Sequence, residues 1–252
     1  MAASQSRPQV ELRHLTALAD LNEAVRLQRE IWGFEDIELL PLRLFVVATK
    51  VGGQAIGAFD GSQMVGFLLA IPGTRPGGAT YLHSHMMGVL APYRNLGVGR
   101  MLKLEQRTEA LARGISLVEW TFDPLELKNA YFNIERLGAV VRRYVLNQYG
   151  TTTSHLHGGL PTDRCVAEWH LLSSRVRRRL AGEPIPPPSA LERLPVPASI
   201  AEIRSSDPAR AREIQASLSD GFVELFRQGL AVTGFERGDE FCSYVLGKCD
   251  SE

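Results

Sequence analysis

The run Gly88-Val89-Leu90-Ala91-Pro92-Tyr93-Arg94-Asn95-Leu96-Gly97-Val98-Gly99-Arg100-Met101-Leu102-Lys103 constrains this chain more than any other stretch. It reads as a strand end, a tight loop and a helix start. Tyr81 to Leu90 is apolar and strand-like. After the loop, Val98, Met101, Leu102, Thr108, Leu111 and Ala112 recur at helical spacing, with Arg100, Lys103, Gln106 and Arg107 between them. Pro92 has no N–H to give to a sheet ladder, so the strand stops there. Gly97 and Gly99 carry no Cβ, which lets the backbone turn sharply and lets a ligand approach it. The helix start leaves several N–H groups without intrahelical partners. With the helix dipole, these suit a phosphate or pyrophosphate. Arg94 and Arg100 add positive charge at the same end.

Two nucleotide loops fail the test of spacing. No G-x-x-x-x-G-K-[ST] run exists, and Gly97-Val98-Gly99 lacks the third glycine of G-x-G-x-x-G. What remains is R-x-x-G-x-G preceded by V-x-x-P. It resembles the acyl-CoA pyrophosphate loop of the GNAT acetyltransferase superfamily. The bland reading is a glycine turn between a strand and a helix.

The resemblance implies a set of contacts. Two strands, here 81–90 and 115–122, would splay apart around the pantetheine of acetyl-CoA. Backbone groups of Met87, Gly88 and Val89 would bond the pantetheine, and Arg94, Asn95, Leu96, Gly97, Val98, Gly99 and Arg100 the pyrophosphate. Asn129, early in the helix after the next strand, matches a cofactor-contacting asparagine, with Phe132 beside it. The family pattern then places a tyrosine four residues before the helix-ending glycine. This chain has Ile134 there, so the usual acid for the leaving thiolate is missing. Tyr131 stands one turn away as a substitute, and water is another.

The 252 residues allow one large domain, or a domain with a substantial extension. Lys+Arg and Asp+Glu both number 28, so a nucleic-acid partner is disfavoured. Cys165, Cys242 and Cys249 are few, scattered and odd in number, which fits a reducing compartment better than a disulfide framework. The polar N-terminus has no apolar signal region, and no stretch approaches membrane-spanning length. The expectation is a cytoplasmic protein with no membrane and no metal.

In chain order the pattern reads β-α-α-β-β-β-α-β-α-β-β. Strand 10–15 is followed by a helix capped by Thr16, with Leu18, Leu21, Val25, Ile31 and Trp32 on its apolar face and Gly33 at its end. A short helix from Leu42 stops at Gly52-Gly53. The turn Asp60-Gly61-Ser62-Gln63 joins strands 54–59 and 64–71. Gly114 ends the helix from Gly97, and strand 115–122 follows. Asp123-Pro124-Leu125-Glu126 has the form of a capping box opening a helix that ends at Gly138. Strands 139–146 and 166–172 close the pattern around a polar loop, 149–164. This is the order of the GNAT fold, and the resemblance covers about residues 9–173. The expected class is α/β (α+β): a mixed, mostly antiparallel twisted sheet flanked by helices, with a C-terminal helix–hairpin extension. Residues 1–8 form a disordered tail, 9–181 the acyl-CoA-binding domain and 182–198 a proline-rich linker. Residues 199–252 form an extension packed on the main domain, with a helix from Asp207-Pro208 to about Gly229 and a hairpin around Arg237-Gly238-Asp239.

Acyl transfer to an amine requires loss of an amine proton, polarisation of the thioester and protonation of the leaving thiolate. His83 and His85, two apart on a strand, share a face, and His85 is a candidate general base. A hydrogen-bonded pair of strand residues is the equal alternative. Glu119 is either a general base or the partner of a buried arginine. Tyr131 is the candidate acid. His155 and His157 have an H-x-H spacing but lack a third ligand. Asp163 and Arg164, in a Gly/Pro turn, order the loop or hold a charged acceptor. No cysteine has a neighbouring histidine to activate it, so direct attack is favoured over an acyl-enzyme. The reading is an acetyl-CoA-dependent N-acyltransferase acting on a small-molecule or peptide amine. The alternative is a GNAT-fold CoA-binding sensor or scaffold with little activity. A third class, docking of Arg175-Val176-Arg177-Arg178-Arg179 on an acidic partner, competes with a solvated helix face.

Overall fold

The computed structural model describes residues 9–150, 159–186 and 191–249. The expected tail at 1–8 and the His155 and His157 pair lie outside the described residues. The chain divides into two compact units, Met1–Ile115 and Ser116–Glu252. This division does not coincide with the boundary the sequence suggests at 182–198.

The first unit is an antiparallel sheet of β1 (Val10–His14), β2 (Gln54–Asp60), β3 (Gln63–Thr74) and β4 (Thr80–Val89), in that spatial order. Helices α1 (Leu18–Trp32) and α2 (Leu42–Lys50) cover one face. Leu21, Leu27 and Phe45 pack there against Phe59, Met64, Phe67 and Leu69. Helix α3 (Val98–Ala112) serves the opposite face, where Gln54 Nε2 donates to Gln106 O at 3.2 Å and Glu109 Oε2 at 3.0 Å. Every residue of β2 but the last is buried, as a strand covered on both faces requires. Thr16 does not cap α1: the N-cap is Ala17 and no side chain bonds there. Gly33, at φ 67°, ends the helix in the left-handed region that glycine tolerates.

The second unit is an antiparallel sheet in the order β5 (Leu117–Phe122), β7 (Arg164–His170), β6 (Val140–Val145), β9 (Ala231–Glu236), β10 (Phe241–Gly247) and β8 (Glu192–Pro197). β7 inserts between β5 and β6, pairing antiparallel with each. The C-terminal segment continues this sheet through the pairing of Val141 with Val232. Helix α7 (Pro208–Arg227) covers it, with the Phe222 ring stacked on Tyr144 and edge-on to Tyr244, both at 5.0 Å. Asp207 caps α7 by accepting from Arg210 N at 3.0 Å.

Three local expectations change. Residues 192–197 are not linker but strand β8, whose Pro195 and Pro197 stand opposite Ser243 and Phe241. A short helix, α6 (Ile200–Ser206), precedes α7. The helix expected from Pro124 begins later: α4 spans Leu127–Tyr131 and runs into a π-helical turn, Phe132–Arg136. Asp123 Oδ1 accepts from Leu125 N at 2.8 Å and its Oδ2 pairs with Arg204 Nη2 at 3.0 Å, while Glu126 N donates to the Asp123 backbone carbonyl at 3.0 Å. The Glu126 N–H that a capping box would aim at the Asp123 side chain is thus taken by the Asp123 backbone in a turn.

Candidate functional site

In the first unit, β4 does not alternate regularly. Leu69 pairs with Met86 and Ala70 with Ser84, so His85 is the extra residue of a β-bulge. The bulge resets which face each side chain takes. Ser84 turns toward α3, whose Lys103 Nζ donates to its Oγ at 2.9 Å. Met86, two residues on, packs instead into the core under α1 and α2. The His83 and His85 rings lie together, centroids 6.0 Å apart. His85 is exposed at the surface. Enough protein still surrounds the ring that burial holds its pKa below the usual imidazole value. An imidazole both reachable and neutral near pH 7 is able to accept a proton.

The strand end leads into the glycine loop. A 3-10 turn, Ala91–Tyr93, follows β4, and Tyr93 OH pins it by donating to Asp60 Oδ2 at 2.8 Å. Asn95 at φ 64° and Gly97 at φ 90° then reverse the chain in left-handed conformations. Buried Val98 anchors the start of α3. The first helical bond joins Met101 N to Gly97 O at 3.0 Å. The N–H groups of Val98, Gly99 and Arg100 therefore precede the helical ladder. No acidic residue lies in this first turn, and Arg100 lies in it, opposite to what the helix dipole favours. An external anion would relieve that arrangement. Arg94 is exposed, and its Nε donates to Val89 O at 3.1 Å, tying the loop to the strand.

Two glycines of the region differ in what they serve. At Gly88 a Cβ would sit 2.8 Å from both Ile31 Cδ1 and Trp32 Cη2, so internal packing requires that glycine. At Gly99 a Cβ would meet only Met87 Cε, at an ordinary 3.6 Å. The protein itself does not need Gly99. The space above it is left open at the helix start, where a ligand would approach.

The second unit holds the other candidate residues. Glu119 is buried, and its Oε1 lies 2.8 Å from Arg143 Nη2. Arg143 Nε also reaches Glu168 Oε1 at 3.1 Å. Glu119 thus takes the ion-pair alternative. Asn129 is exposed, and Tyr131 and Phe132 are half-buried. Arg237 lies over the Tyr131 ring, 5.2 Å from its centroid. Asp163 and Arg164 are engaged by described residues of the same unit. Asp163 accepts from Asn147 N and Ser219 Oγ, each at 2.8 Å, and Arg164 lies over Tyr149. Cys165 is fully buried, and burial drives its pKa well above the ordinary thiol value, so it is no nucleophile. Among the described residues no group of three or more His, Cys, Asp or Glu could hold a metal ion. Nor is any described helix long and apolar enough to cross a membrane.

No family model and no curated protein matches the sequence. Solved structures do. A GNAT-family protein of Desulfovibrio desulfuricans superposes with a TM-score of 0.52 at 16% identity, covering 64% of this chain and 99% of its own. The ribosomal-protein-S18-alanine N-acetyltransferase of Escherichia coli gives 0.52 and 16%, covering 66% and 96%. NAA60 of Arabidopsis thaliana, in complex with a bisubstrate analogue, gives 0.52 and 16%, covering 64% and 97%. The chain has the GNAT fold. Nearly the whole of each of these structures has a counterpart here, and about a third of this chain lies beyond the likeness to the first. The position at which the sequence resemblance expects a tyrosine holds Ile134. Ile134 is fully buried in the π-helical turn, so that position is filled with core here. Sequence periodicity carries no mark of the bulge at His85 or of the π-turn. Both add one residue to an otherwise regular ladder.

Proposed function

We propose that the chain is an acyl-CoA-dependent N-acyltransferase that moves an acetyl group from acetyl-CoA to the amine of a small molecule or peptide. One observation carries the reading: a GNAT fold whose glycine loop opens a helix start with no acidic residue, beneath a glycine the fold does not need. NAA60 has been solved with acetyl-CoA, which favours that donor here.

When bound, the donor supplies an acyl group activated as a thioester. The chain does the rest. The N–H groups of Val98, Gly99 and Arg100 bind the pyrophosphate, with Asn95, Leu96 and Gly97 shaping the approach and Arg94 adding charge. The backbone of Met87, Gly88 and Val89 holds the pantetheine arm. His85 takes the proton from the attacking amine. Asn129 and Phe132 contact the donor, and Tyr131 returns a proton to the departing thiolate. The protein acts in the cytoplasm, without nucleic acid or membrane.

A second reading, a CoA-binding sensor of little activity, is favoured by Ile134, which removes the family acid. Calorimetric titration with acetyl-CoA and CoA, beside Gly97→Trp, tests both. Micromolar binding lost in the variant supports the donor loop, and thiol release with a panel of amines then separates enzyme from sensor. No binding by folded protein overturns both readings.

A further inference from the structure

The second unit contains a cavity of about 210 Å³ that the acyltransferase reading does not use. It lies where β6, β7, β9, the start of α5 (Ser174–Ala181) and the end of β10 converge. Arg142, Glu168, Arg175, Thr233, Lys248 and Cys249 are among the residues that line it. Its volume is below the roughly 300–1,000 Å³ usual for drug-sized ligands, so it suits only a few heavy atoms.

The charge of the lining is the first clue. Glu168 is already engaged by Arg142 at 2.9 Å and Arg143 at 3.1 Å. Arg175 and Lys248 have no carboxylate within ion-pair distance among the described residues. Arg175 donates to three carbonyls instead. Its Nε reaches Gly138 O at 3.1 Å, and its Nη2 reaches Thr233 O at 2.6 Å and Ile134 O at 3.5 Å. Nη1 donates to nothing among the described residues. Burial, and then Arg179, push the Arg175 pKa down to about 10, which still leaves a full positive charge at neutral pH.

The second clue is independent. Thr233 is 8% exposed, and its Oγ1 is buried with no hydrogen-bond partner among the described residues. A buried hydroxyl left unpaired is costly, so native structures usually give one a partner in protein, water or a bound molecule. A cation with unused donors beside an unpaired hydroxyl matches the oxygens of a small anion.

We propose that this cavity binds a small oxyanion, a phosphate-like ion or short carboxylic acid, held by Arg175, Thr233 and Lys248. Cys249 provides a local reporter. Its thiol, 3.2 Å from Arg142 Nη2, lines the cavity and is half-exposed, whereas Cys165 and Cys242 are buried. An occupied cavity shields it.

The experiment measures iodoacetamide alkylation of Cys249 by mass spectrometry on the full chain. Phosphate, acetate or chloride is added at matched ionic strength. A Gly99→Glu background is used so that the donor loop cannot take up the anion. Phosphate or acetate is expected to slow alkylation at least fivefold relative to chloride. Thr233→Val and Lys248→Met should each remove most of that protection. Protection by phosphate alone assigns a tetrahedral ion, and protection by acetate alone a carboxylic acid. Equal rates in all three salts, or full protection retained in both variants, overturn the proposal. Because the donor loop is blocked throughout, neither result depends on the acyltransferase reading.

Discussion

Glu119 and Glu168 stand directly opposite one another on β5 and β7, and Arg143 holds both, at 2.8 and 3.1 Å. Two carboxylates facing across a ladder repel each other. The arginine turns that repulsion into a three-membered charge cluster, with Arg142 and His170 completing the shell of Glu168.

Acid should weaken this cluster. Burial alone would raise the Glu168 pKa, but the hydrogen bond from His170 and the charges of Arg143 and Arg142 outweigh it and bring the value to about 2. A carboxylate depressed in the folded state contributes stability that is complete above its unfolded pKa. That stability is lost as pH falls from about 4.5 toward about 2. Glu168→Gln should therefore cost about 1–2 kcal/mol at pH 7, after discounting for the half-exposed Arg143. Urea melts of both proteins should converge as pH falls through that window. A constant gap would contradict the assignment.

Acid–base chemistry should track His85 and not Glu119. The imidazole pKa lies below 6.5, so the acid limb of kcat/KM should fall below that value. His85→Gln should flatten the limb and lower kcat by about 10²-fold or more. Glu119→Gln should lower the melting temperature and leave the shape of the profile intact. A profile that loses its limb in Glu119→Gln would reverse the two roles.

Gly99→Glu should separate folding from donor binding. A Cβ fits there, glutamate has the better helix propensity, and a negative charge suits a helix start. Stability should hold or rise by about 0.5–1 kcal/mol. CoA affinity should fall at least tenfold by calorimetry, because the carboxylate occupies the anion's place. Unchanged affinity would remove the pyrophosphate from this loop.

Lys103 gives a prediction at alkaline pH. It is buried against Ser84 Oγ and Gln106 Oε1, and burial puts its pKa well below 10.5. The unfolded chain then binds the extra proton, so stability rises with pH between the lowered value and 10.5. Lys103→Met should flatten that rise in denaturant melts between pH 8 and 10. A variant with the same slope as wild type would show that the lysine is not the titrating group.

Much of this was legible in residue patterns. The glycine loop, the hairpin at Gly61 and the cap at Asp207 each rest on a few adjacent residues, and each forms where those residues lie. What escaped depends on distant partners. Arg204 pairs with Asp123, and Arg143 claims Glu119 for an ion pair. The bulge at His85 is set by β3, which no window within β4 contains.

The prolines of β8 have an effect beyond their own unit. β8 pairs with β10 on one side and ends the sheet on the other. An open strand edge invites another chain to add to it, and proline denies such an intruder the N–H it would bond. Pro195 and Pro197 thus make the last strand a terminator, protecting the protein from edge-to-edge aggregation.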